Sequence, residues 1–208
     1  MRRLVDFIPP PILYRILRFV HWQSWERLNR RVAPQQFGAG SHHDFRWYFE
    51  GASIVPVRNV DEMCAWLAEC EYVRDPDLFH ERDYWQHPNT FEQLRKGDCE
   101  DRALWAWRKL TELGIPAEFY VGRWRAVPNG VPGFHAWVVC QLQGVDYLVE
   151  ATAPTRDTIL RPLSEVRDDY FPHFAIDAQF KAQAFGGYML YLKEERAKLK
   201  LKRRAPTA

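Results

Sequence analysis

Long apolar runs are absent from this 208-residue sequence, and no stretch approaches the roughly 20 apolar residues that a membrane-spanning helix needs. Internal repeats and low-complexity segments are absent too. What remains is a globular composition, 47% hydrophobic and 27% charged, in a chain long enough to bury a substantial core. The aromatic share of 15%, with nine Trp, predicts that large rings dominate this core.

Cysteine is scarce, and its spacing argues against the common metal-binding motifs. The four cysteines, Cys64, Cys70, Cys99 and Cys140, form neither a CxxC pair nor a Cys/His metal pattern. We therefore expect no metal or other cofactor, and reduced thiols in a cytoplasmic protein. The N-terminus begins like a signal peptide, but three prolines and two arginines interrupt its apolar region and no small-residue cleavage site follows.

The net charge of +2 conceals two basic ends and an acidic middle. Residues 1–50 carry eight arginines against four acids, and residues 190–208 carry seven basic residues against two glutamates. The basic ends can contact a partner protein or an anionic surface, or they can simply be solvated. Because the basic residues are terminal and the body is acidic, the pattern disfavours nucleic-acid binding. No feature of the sequence indicates the oligomeric state.

The hydrophobic pattern predicts three regions. Residues 1–45 form a basic amphipathic helix, over 12–32, and a glycine-containing linker, over 34–45. This helix either docks on its own domain or lies on a membrane or partner. Residues 46–190 form the central domain, and residues 191–208 form a basic, helix-like tail.

The central domain has an α+β pattern. A short helix is predicted over 60–72, followed by a polar surface loop over 75–90 that contains two prolines. A second helix is predicted over 99–113, with Asp98 as its N-cap and Gly114 as its stop. Three strand candidates follow, at 117–125, 134–142 and 145–151. The aromatic segment 170–185 either lines a cleft or covers the core.

Cys99 is the first residue of the second predicted helix. Free backbone N–H groups and the helix dipole favour negative charge at this position, so we expect a solvent-accessible thiol with a lowered pKa. Asp98, Glu100 and Asp101 oppose that shift because they repel a thiolate. The thiolate therefore needs a cationic partner.

His135 is the predicted partner. If Gln143-Gly144 is a two-residue hairpin loop, Leu142 pairs with Val145, and the same register places His135 opposite Thr152 and Trp137 opposite Glu150. Cross-strand partners share a face, so His135 and Glu150 become diagonal neighbours roughly 5–8 Å apart between Cβ atoms. A carboxylate there can bind one imidazole nitrogen and leave the other for the thiol.

These motifs resemble a known family. Gly97-Asp98-Cys99-Glu100-Asp101 before a helix, His135-Ala136-Trp137, and Tyr147-Leu148-Val149-Glu150-Ala151-Thr152 resemble the transglutaminase-like superfamily. This is the branch of the papain-like fold that contains bacterial transglutaminase-like cysteine peptidases and protein-crosslinking enzymes. The resemblance covers about residues 60–155. It implies an α+β papain-like core, with the nucleophile helix packed on an antiparallel sheet, between an N-terminal amphipathic helix and a basic C-terminal helix.

The resemblance also implies catalytic roles. Cys99 falls on the nucleophile, His135 on the general base and then acid, and Glu150 on the acid that orients the histidine. The family usually has the Asp of an Asp-Pro-Thr where this sequence has Glu150, so the contact with His135 must accommodate one more methylene. The Cys99 backbone N–H is the natural first oxyanion donor. Gln93 lies where papain-type enzymes place a second donor, and Trp85 and Tyr84 are alternatives.

The expected function is acyl transfer from a protein or peptide amide through a thioester on Cys99. Water would resolve the thioester in a peptidase or amidase, and a primary amine would do so in a transglutaminase. The sequence does not choose between these outcomes. The alternative is a weak or inactive fold of the same type that acts as a binding or scaffold module, which the glutamate at position 150 and the basic ends would favour.

Overall fold

The computed structural model describes residues 22–127 and 130–204. Its helices are α1 (Val60–Ala68), α2 (Asp75–Leu78), α3 (Pro88–Leu94), α4 (Cys99–Glu112), α5 (Arg156–Ile159), α6 (Leu163–Val166) and α7 (Gly186–Arg204). Its strands are β1 (Arg27–Leu28), β2 (Glu71–Tyr72), β3 (Lys96–Gly97), β4 (Ala117–Trp124), β5 (Gly133–Leu142), β6 (Val145–Val149), β7 (Leu160–Pro162), β8 (Tyr170–Asp177) and β9 (Ala182–Phe185). Short 3-10 turns lie at Pro34–Gln36, Trp47–Phe49 and Arg167–Asp169.

A seven-stranded antiparallel sheet forms the centre of the fold, in the order β1-β9-β8-β4-β5-β6-β7. The strands β2 and β3 form a separate parallel pair beside α4. Helix α4 packs on β4 and β5, and α7 packs on β8. The predicted α+β class is therefore confirmed, including the helix that begins at Cys99 and packs on an antiparallel sheet.

The two faces of the sheet bury different sets of residues. The larger cluster lies between α4 and the sheet and includes Trp107, Phe119 and Val138. The smaller cluster lies on the opposite face and includes Tyr120, Trp137 and Tyr170. Successive residues of a strand point to opposite faces, so β5 contributes Ala136 and Val138 to one cluster and Trp137 to the other. The rings predicted from composition dominate both clusters.

Local signals correctly predicted the helix that begins at Cys99 and the hairpin of β5 and β6. Asp98 and Asp101 form a capping box at the start of α4, and Gly114 follows its end with a φ of 72°. Gln143 and Gly144 both have positive φ, and Leu142 pairs with Val145. This is the geometry of a two-residue hairpin turn that matches the twist of the strands.

The predicted helix over 12–32 is wrong at its C-terminal end. Residues 12–21 lie outside the described part of the chain. Residues 22–24 are helical, but Arg27 and Leu28 are extended and pair with Phe185 and Ala184 of β9. The strand partner lies more than 150 residues away in the sequence, so no local periodicity could reveal it. Helix α1 also ends earlier than predicted, and the chain enters β2 at Glu71.

The prediction of a polar surface loop over 75–90 is right only for its middle, because residues 79–84 form no helix or strand and are exposed or half-buried. The segment also contains α2 and the start of α3, and Asp75, Trp85 and Gln86 are buried. Several of its buried polar atoms have partners. The Gln86 backbone and side chain donate to the carboxylate of Asp101, and the Tyr84 N–H donates to Asp75 at 2.7 Å.

The segments near both ends contribute to the fold. Phe37 and Phe45, from the predicted linker, belong to the larger core cluster. The basic C-terminal helix is confirmed as α7, and Tyr188 at its start packs on the same cluster. None of the helices in the described ranges is both long and apolar enough to cross a membrane.

Candidate active site

The hairpin brings His135 and Glu150 together, as its predicted register requires. The paired ladder runs from Leu142–Val145 to Val138–Val149, and Glu150 follows directly after β6. The Nε2 atom of His135 lies 2.8 Å from Oε2 of Glu150, and both side chains are buried. The extra methylene of glutamate is therefore accommodated without loss of the contact. Nδ1 of His135 is the nitrogen that remains for another partner.

Glu150 is held by donors on both of its oxygens. The Thr152 hydroxyl and N–H donate to Oε1 at 2.5 and 3.2 Å, and the Tyr170 hydroxyl donates to Oε2 at 2.7 Å. Burial alone would raise the pKa of Glu150, but the neighbouring His135 and these donors bring it below its ordinary value. Glu150 is thus a fixed carboxylate that can orient an imidazole and stabilise its protonated form.

Aromatic rings enclose the imidazole of His135. The Trp124 ring lies 4.9 Å from it, and the Trp137 and Tyr170 rings lie 6.4 and 6.5 Å away, measured between centroids. These rings belong to the face of the sheet opposite α4. They fix the plane of the imidazole and shield its contact with Glu150 from water.

The Cys99 sulfur lies at an open edge of β5. Because the β6 ladder stops at Val138, the beginning of β5 has no strand partner on that side. There the backbone N–H of Ala136 lies near enough to the Cys99 thiol to oppose the rise in its pKa. The thiol is therefore near the residue that follows His135. At this edge a side chain from α4 and a side chain from the opposite face of the sheet can meet.

The Cys99 thiol forms its own hydrogen bond to Glu100, at 3.1 Å from Sγ to Oε2. Among the described residues it forms none with His135. Burial, followed by the charges of Glu100 and Asp98, raises the pKa of the thiol well above its ordinary value. The expected low pKa is therefore wrong for this conformation. The helix N-terminus cannot offset desolvation and two adjacent carboxylates.

Crowded carboxyl groups surround Glu100. Burial and then the neighbouring acids raise the pKa of Glu100 well above its ordinary value, and burial is also the first cause that raises the pKa of Asp75, to about 6. Burial likewise raises the pKa of Asp101 to about 8, although two hydrogen bonds from Gln86 oppose this. These acids share protons because their charges cannot all be buried together.

The same acids could hold a divalent cation, although the sequence spacing indicated none. Asp98, Cys99 and Glu100 offer ligand atoms within 4.8 Å of one another, as do Asp75, Asp83 and Glu100. One oxygen each of Asp75 and Asp98 is buried without a hydrogen-bond partner in the described residues. Hard cations prefer such oxygen ligands. A cation there would offset the charge that raises the pKa of Cys99.

Cys99 and His135 line one cleft of about 580 Å³. Its acidic end contains Asp75, Asp83, Asp98 and Glu100, and its other end contains Phe134, His173, Phe174, Tyr188 and Tyr191. The rest of the wall is formed by the segment Gln35–Ala39 and by Arg82, Trp85, Val121, Gly122 and Ala136. The cleft thus lies between the N-terminus of α4, the start of β5 and the start of α7.

The predicted side-chain oxyanion donor does not reach this cleft. Gln93 is exposed on α3 and is not among the residues that line the cleft. Of the alternatives, Tyr84 is 44% exposed, and Trp85 lines the cleft but donates its indole N–H to Asp83 at 3.0 Å. The free N–H of Cys99 at the first helical position remains the best oxyanion donor.

Two contributors were missed by the sequence reasoning. Tyr170, on β8, donates a hydrogen bond to Glu150, and Glu100 accepts a hydrogen bond from the Cys99 thiol. The acidic pair after Cys99 was a local signal for Glu100. No signal marked Tyr170, because its position depends on the pairing of β8 with β4. The aromatic segment 170–185 was predicted either to line a cleft or to cover the core, and it does both. Phe174 lines the cleft, and Phe171 is a buried strand residue.

Comparisons with known proteins give distant similarities. No protein-family model and no curated protein matches the chain. LapG of Legionella pneumophila is similar over 81% of this chain and 87% of its own, with 16% identity and a TM-score of 0.46. A candidate cysteine protease from Cytophaga hutchinsonii is similar over 88% of this chain and 65% of its own, with 15% identity and a TM-score of 0.36. Assignment of a function therefore rests on the residues of this chain.

Proposed function

We propose that this chain is a cysteine peptidase or amidase of the transglutaminase-like, papain-like class, with Cys99, His135 and Glu150 as its catalytic residues. The single observation that carries the proposal is the position of Cys99 in the cleft. It lines the same cleft as His135, a histidine whose Nε2 contacts the buried carboxylate of Glu150 at 2.8 Å. A thiol, an imidazole and an orienting acid are the groups that thioester chemistry requires.

The first step is activation of the thiol. Rotation of the Cys99 side chain from Glu100 toward Nδ1 of His135 transfers the thiol proton to the imidazole. Glu150 holds Nε2–H and stabilises the imidazolium that forms. The resulting ion pair replaces the contact of the thiol with the Glu100 carboxyl. The imidazolium of His135 is then the cationic partner that the thiolate needs.

The thiolate then attacks the carbonyl carbon of a peptide or side-chain amide. The C=O π electrons move to oxygen, and the Cys99 N–H at the start of α4 stabilises the oxyanion. When the tetrahedral intermediate collapses, His135 donates its proton to the leaving amine and a thioester remains. Water, deprotonated by His135, hydrolyses the thioester and releases the thiol and a carboxylic acid.

The test is turnover of fluorescein-labelled casein together with intact-protein mass spectrometry of the acylated enzyme. We expect Cys99→Ala and His135→Gln to lower turnover by about 10³-fold or more. The matched control is Cys70→Ala, because Cys70 is also half-buried but lies outside the cleft. Full activity in Cys99→Ala, or acylation at another cysteine, would disprove the proposal.

A labelled primary amine, dansylcadaverine, extends this test to the second half-reaction. Hydrolysis predicts release of casein fragments without incorporation of the amine. Incorporation that requires Cys99 would identify an acyltransferase that uses the same three residues. All four cysteines are free, as in a reducing compartment, so we propose that the enzyme acts in the cytoplasm.

A further inference from the structure

The end of the cleft beside α7 is built from aromatic side chains. Phe134 lies edge-on to Tyr191, at 5.4 Å between centroids, and to His173, at 5.9 Å. The ring of His173 lies 5.1 Å from that of Tyr191. These three residues, from β5, β8 and α7, line the same cleft as Cys99. We call them the aromatic end of the cleft.

Phe134 is the unusual member of this group. Its side chain is 68% exposed, although it belongs to a strand and directly precedes His135. A single exposed phenylalanine needs no explanation, but this one forms the open wall of a cleft that holds a candidate nucleophile. An apolar group that entered the cleft would remove its ring from water.

In the part of the chain that the structure describes, none of the three residues at this end is a charged type, and the nearby Arg123 has an acidic partner. Arg123 is paired with Glu194 at 2.8 Å, and its guanidinium lies over the Tyr191 ring. His173 is only 4% exposed, and burial, followed by the charge of Arg123, lowers its pKa to about 3, so the imidazole is neutral at physiological pH. Its Nε2 has no hydrogen-bond partner in the described residues.

The two ends of the cleft therefore differ in chemistry. The end formed by Asp75, Asp83 and Glu100 is acidic, and the end formed by Phe134, His173 and Tyr191 is aromatic and uncharged. Cys99 lies at the acidic end, where its thiol donates a hydrogen bond to Glu100. A peptide bound across Cys99 would thus place one flanking residue against aromatic rings.

We propose that Phe134, His173 and Tyr191 form a specificity subsite for an aromatic or branched apolar side chain of the peptide substrate, close to the amide that Cys99 attacks. The subsite rests on the proposed function, because its occupant is a substrate residue. Ring stacking and edge-to-face contacts with Phe134 and Tyr191 would bind that side chain.

The experiment measures binding without turnover, in full-length Cys99→Ala protein. Two probes are titrated at neutral pH, acetyl-Ala-Phe-Ala-amide and acetyl-Ala-Ala-Ala-amide, and the imidazole resonances of His173 are followed by NMR. We expect the phenylalanine peptide to bind about tenfold or more tightly than the alanine peptide, and to shift the His173 resonances. Equal binding of the two peptides, or no binding of either, would overturn the subsite.

Variants test whether the preference for the phenylalanine peptide depends on Phe134. Adding Phe134→Ala to the Cys99→Ala protein should abolish the preference for the phenylalanine peptide. Adding Phe134→Leu should keep part of this preference, which would show that the loss in Phe134→Ala does not come from a general loss of structure. Val131→Ala is the matched control, because Val131 is 91% exposed nearby in the sequence but does not line the cleft. Retention of the full preference in the Phe134→Ala protein would contradict the proposal.

Turnover separates this proposal from the proposed function. Preferential binding of the phenylalanine peptide without Cys99-dependent hydrolysis in the wild-type protein would leave the subsite and remove the peptidase. Cys99-dependent hydrolysis with equal kcat/KM for the two peptides would leave the peptidase and remove the subsite.

Discussion

Glu150 contacts His135 through a side chain one methylene longer than that of aspartate. Its backbone N–H donates to Ile159 at 2.7 Å, which fixes the chain at the end of β6. Thr152 and Tyr170 then fix the carboxylate from two sides. The contact at 2.8 Å thus depends on Glu150's neighbours as much as on Glu150 itself.

Replacement of Tyr170 by phenylalanine tests this dependence. The change removes the donor to the same oxygen that contacts His135, and a hydrogen bond to a charged group contributes about 1.5–3 kcal/mol. Loss of a donor to the carboxylate raises the pKa of Glu150, so the acid limb of the kcat profile should move to higher pH. We expect kcat to fall by roughly tenfold or more, because tenfold corresponds to the low end of that free-energy range. Tyr147→Phe, which does not contact Glu150, is the control, and an unmoved acid limb would refute the role of Tyr170.

Replacement of Glu100 by glutamine tests the origin of the raised thiol pKa. After burial, the charge of Glu100 is the largest cause that raises the pKa of Cys99. Glu100→Gln should lower this pKa, and each unit increases the thiolate fraction about tenfold below the pKa. The measurement is the rate of iodoacetamide labelling of Cys99 as a function of pH, followed by mass spectrometry. Glu165→Gln, on exposed α6, should label like the wild type, and identical profiles for both variants would contradict the prediction.

Asp75 links the same cluster to stability. Its pKa is raised to about 6 by burial and then by neighbouring acids, so the folded state binds a proton that the unfolded chain releases near pH 4. The stabilisation is present below pH 4 and is lost as the pH rises toward 6. Asp75→Asn should remove this slope, because an amide can keep the bond from Tyr84 without adding charge. Urea denaturation between pH 4 and 8 measures the slope, and equal slopes in both proteins would exclude Asp75 as its source.

At the scale of elements, Arg102 connects α4 to the structures on either side of it. Its buried guanidinium donates to the carbonyls of Leu67 at 2.8 Å, Cys70 at 3.0 Å and Ala151 at 2.7 Å. Leu67 lies in α1, Cys70 lies just before β2, and Ala151 follows Glu150. One side chain on α4 therefore contacts the chain directly after Glu150 and helps to set its position.

Arg102→Met should destabilise the fold by roughly 2–4 kcal/mol, because three buried carbonyls lose their donor. Arg102→Lys should recover only part of this, since one ammonium cannot match the geometry of the guanidinium fork. Denaturant midpoints measure the effect. Arg74→Met is the exposed control and should change stability by less than about 0.5 kcal/mol. A wild-type midpoint in Arg102→Met would show that these contacts contribute nothing.

The elements that the sequence predicted well are those with local signals. The cap at Asp98, the stop at Gly114 and the turn at Gln143-Gly144 act over a few residues, and the hairpin parity that joins His135 to Glu150 follows from the turn. The failures depend on distant partners. Gln86 is buried because Asp101 accepts its hydrogen bonds, and Arg27 is in a strand because Phe185 lies beside it.

The pKa of Cys99 could not be predicted for a related reason. The sequence shows a helix start and three acids, but the sign of the shift depends on how deeply the thiol is buried. It also depends on whether Glu100 points toward the sulfur, which it does. Side-chain direction at a helix N-terminus is set by the packing of the surrounding segments, here including the buried Trp85 and the nearby Asp75.

At the scale of the whole molecule, the elements near the two ends of the described chain meet at one edge of the sheet. Strand β1 pairs with β9, and β9 leads directly into α7. Ion pairs attach both ends to the acidic body, from Arg27 to Glu118 at 2.7 Å and from Arg123 to Glu194 at 2.8 Å. Only the first pair joins a base of the basic ends to an acid of the body, because in the second the C-terminal helix supplies the acid. The charge asymmetry of the sequence therefore accounts for one of these two attachments.

The N-terminal segment also reaches the candidate site through Trp25. Its indole N–H donates to the carbonyl of Tyr170 at 3.0 Å and to that of Arg167 at 3.1 Å, and its ring lies 5.8 Å from the Tyr120 ring. Tyr170 in turn donates to Glu150. Trp25 therefore supports the β8 residue that donates a hydrogen bond to Glu150.

Two variants of Trp25 separate hydrogen bonding from packing. Trp25→Phe keeps a ring but loses the indole N–H, and should cost about 1 kcal/mol of stability. Trp25→Ala also removes the ring from the smaller core cluster, and should cost roughly 3–5 kcal/mol. If the link to Tyr170 is transmitted to Glu150, Trp25→Phe should lower kcat several-fold while KM stays unchanged, because the substrate cleft is not touched. Thermal unfolding and casein turnover of the same preparations measure both effects. A loss of stability with wild-type kcat would confine Trp25 to the fold and separate the N-terminal segment from the chemistry.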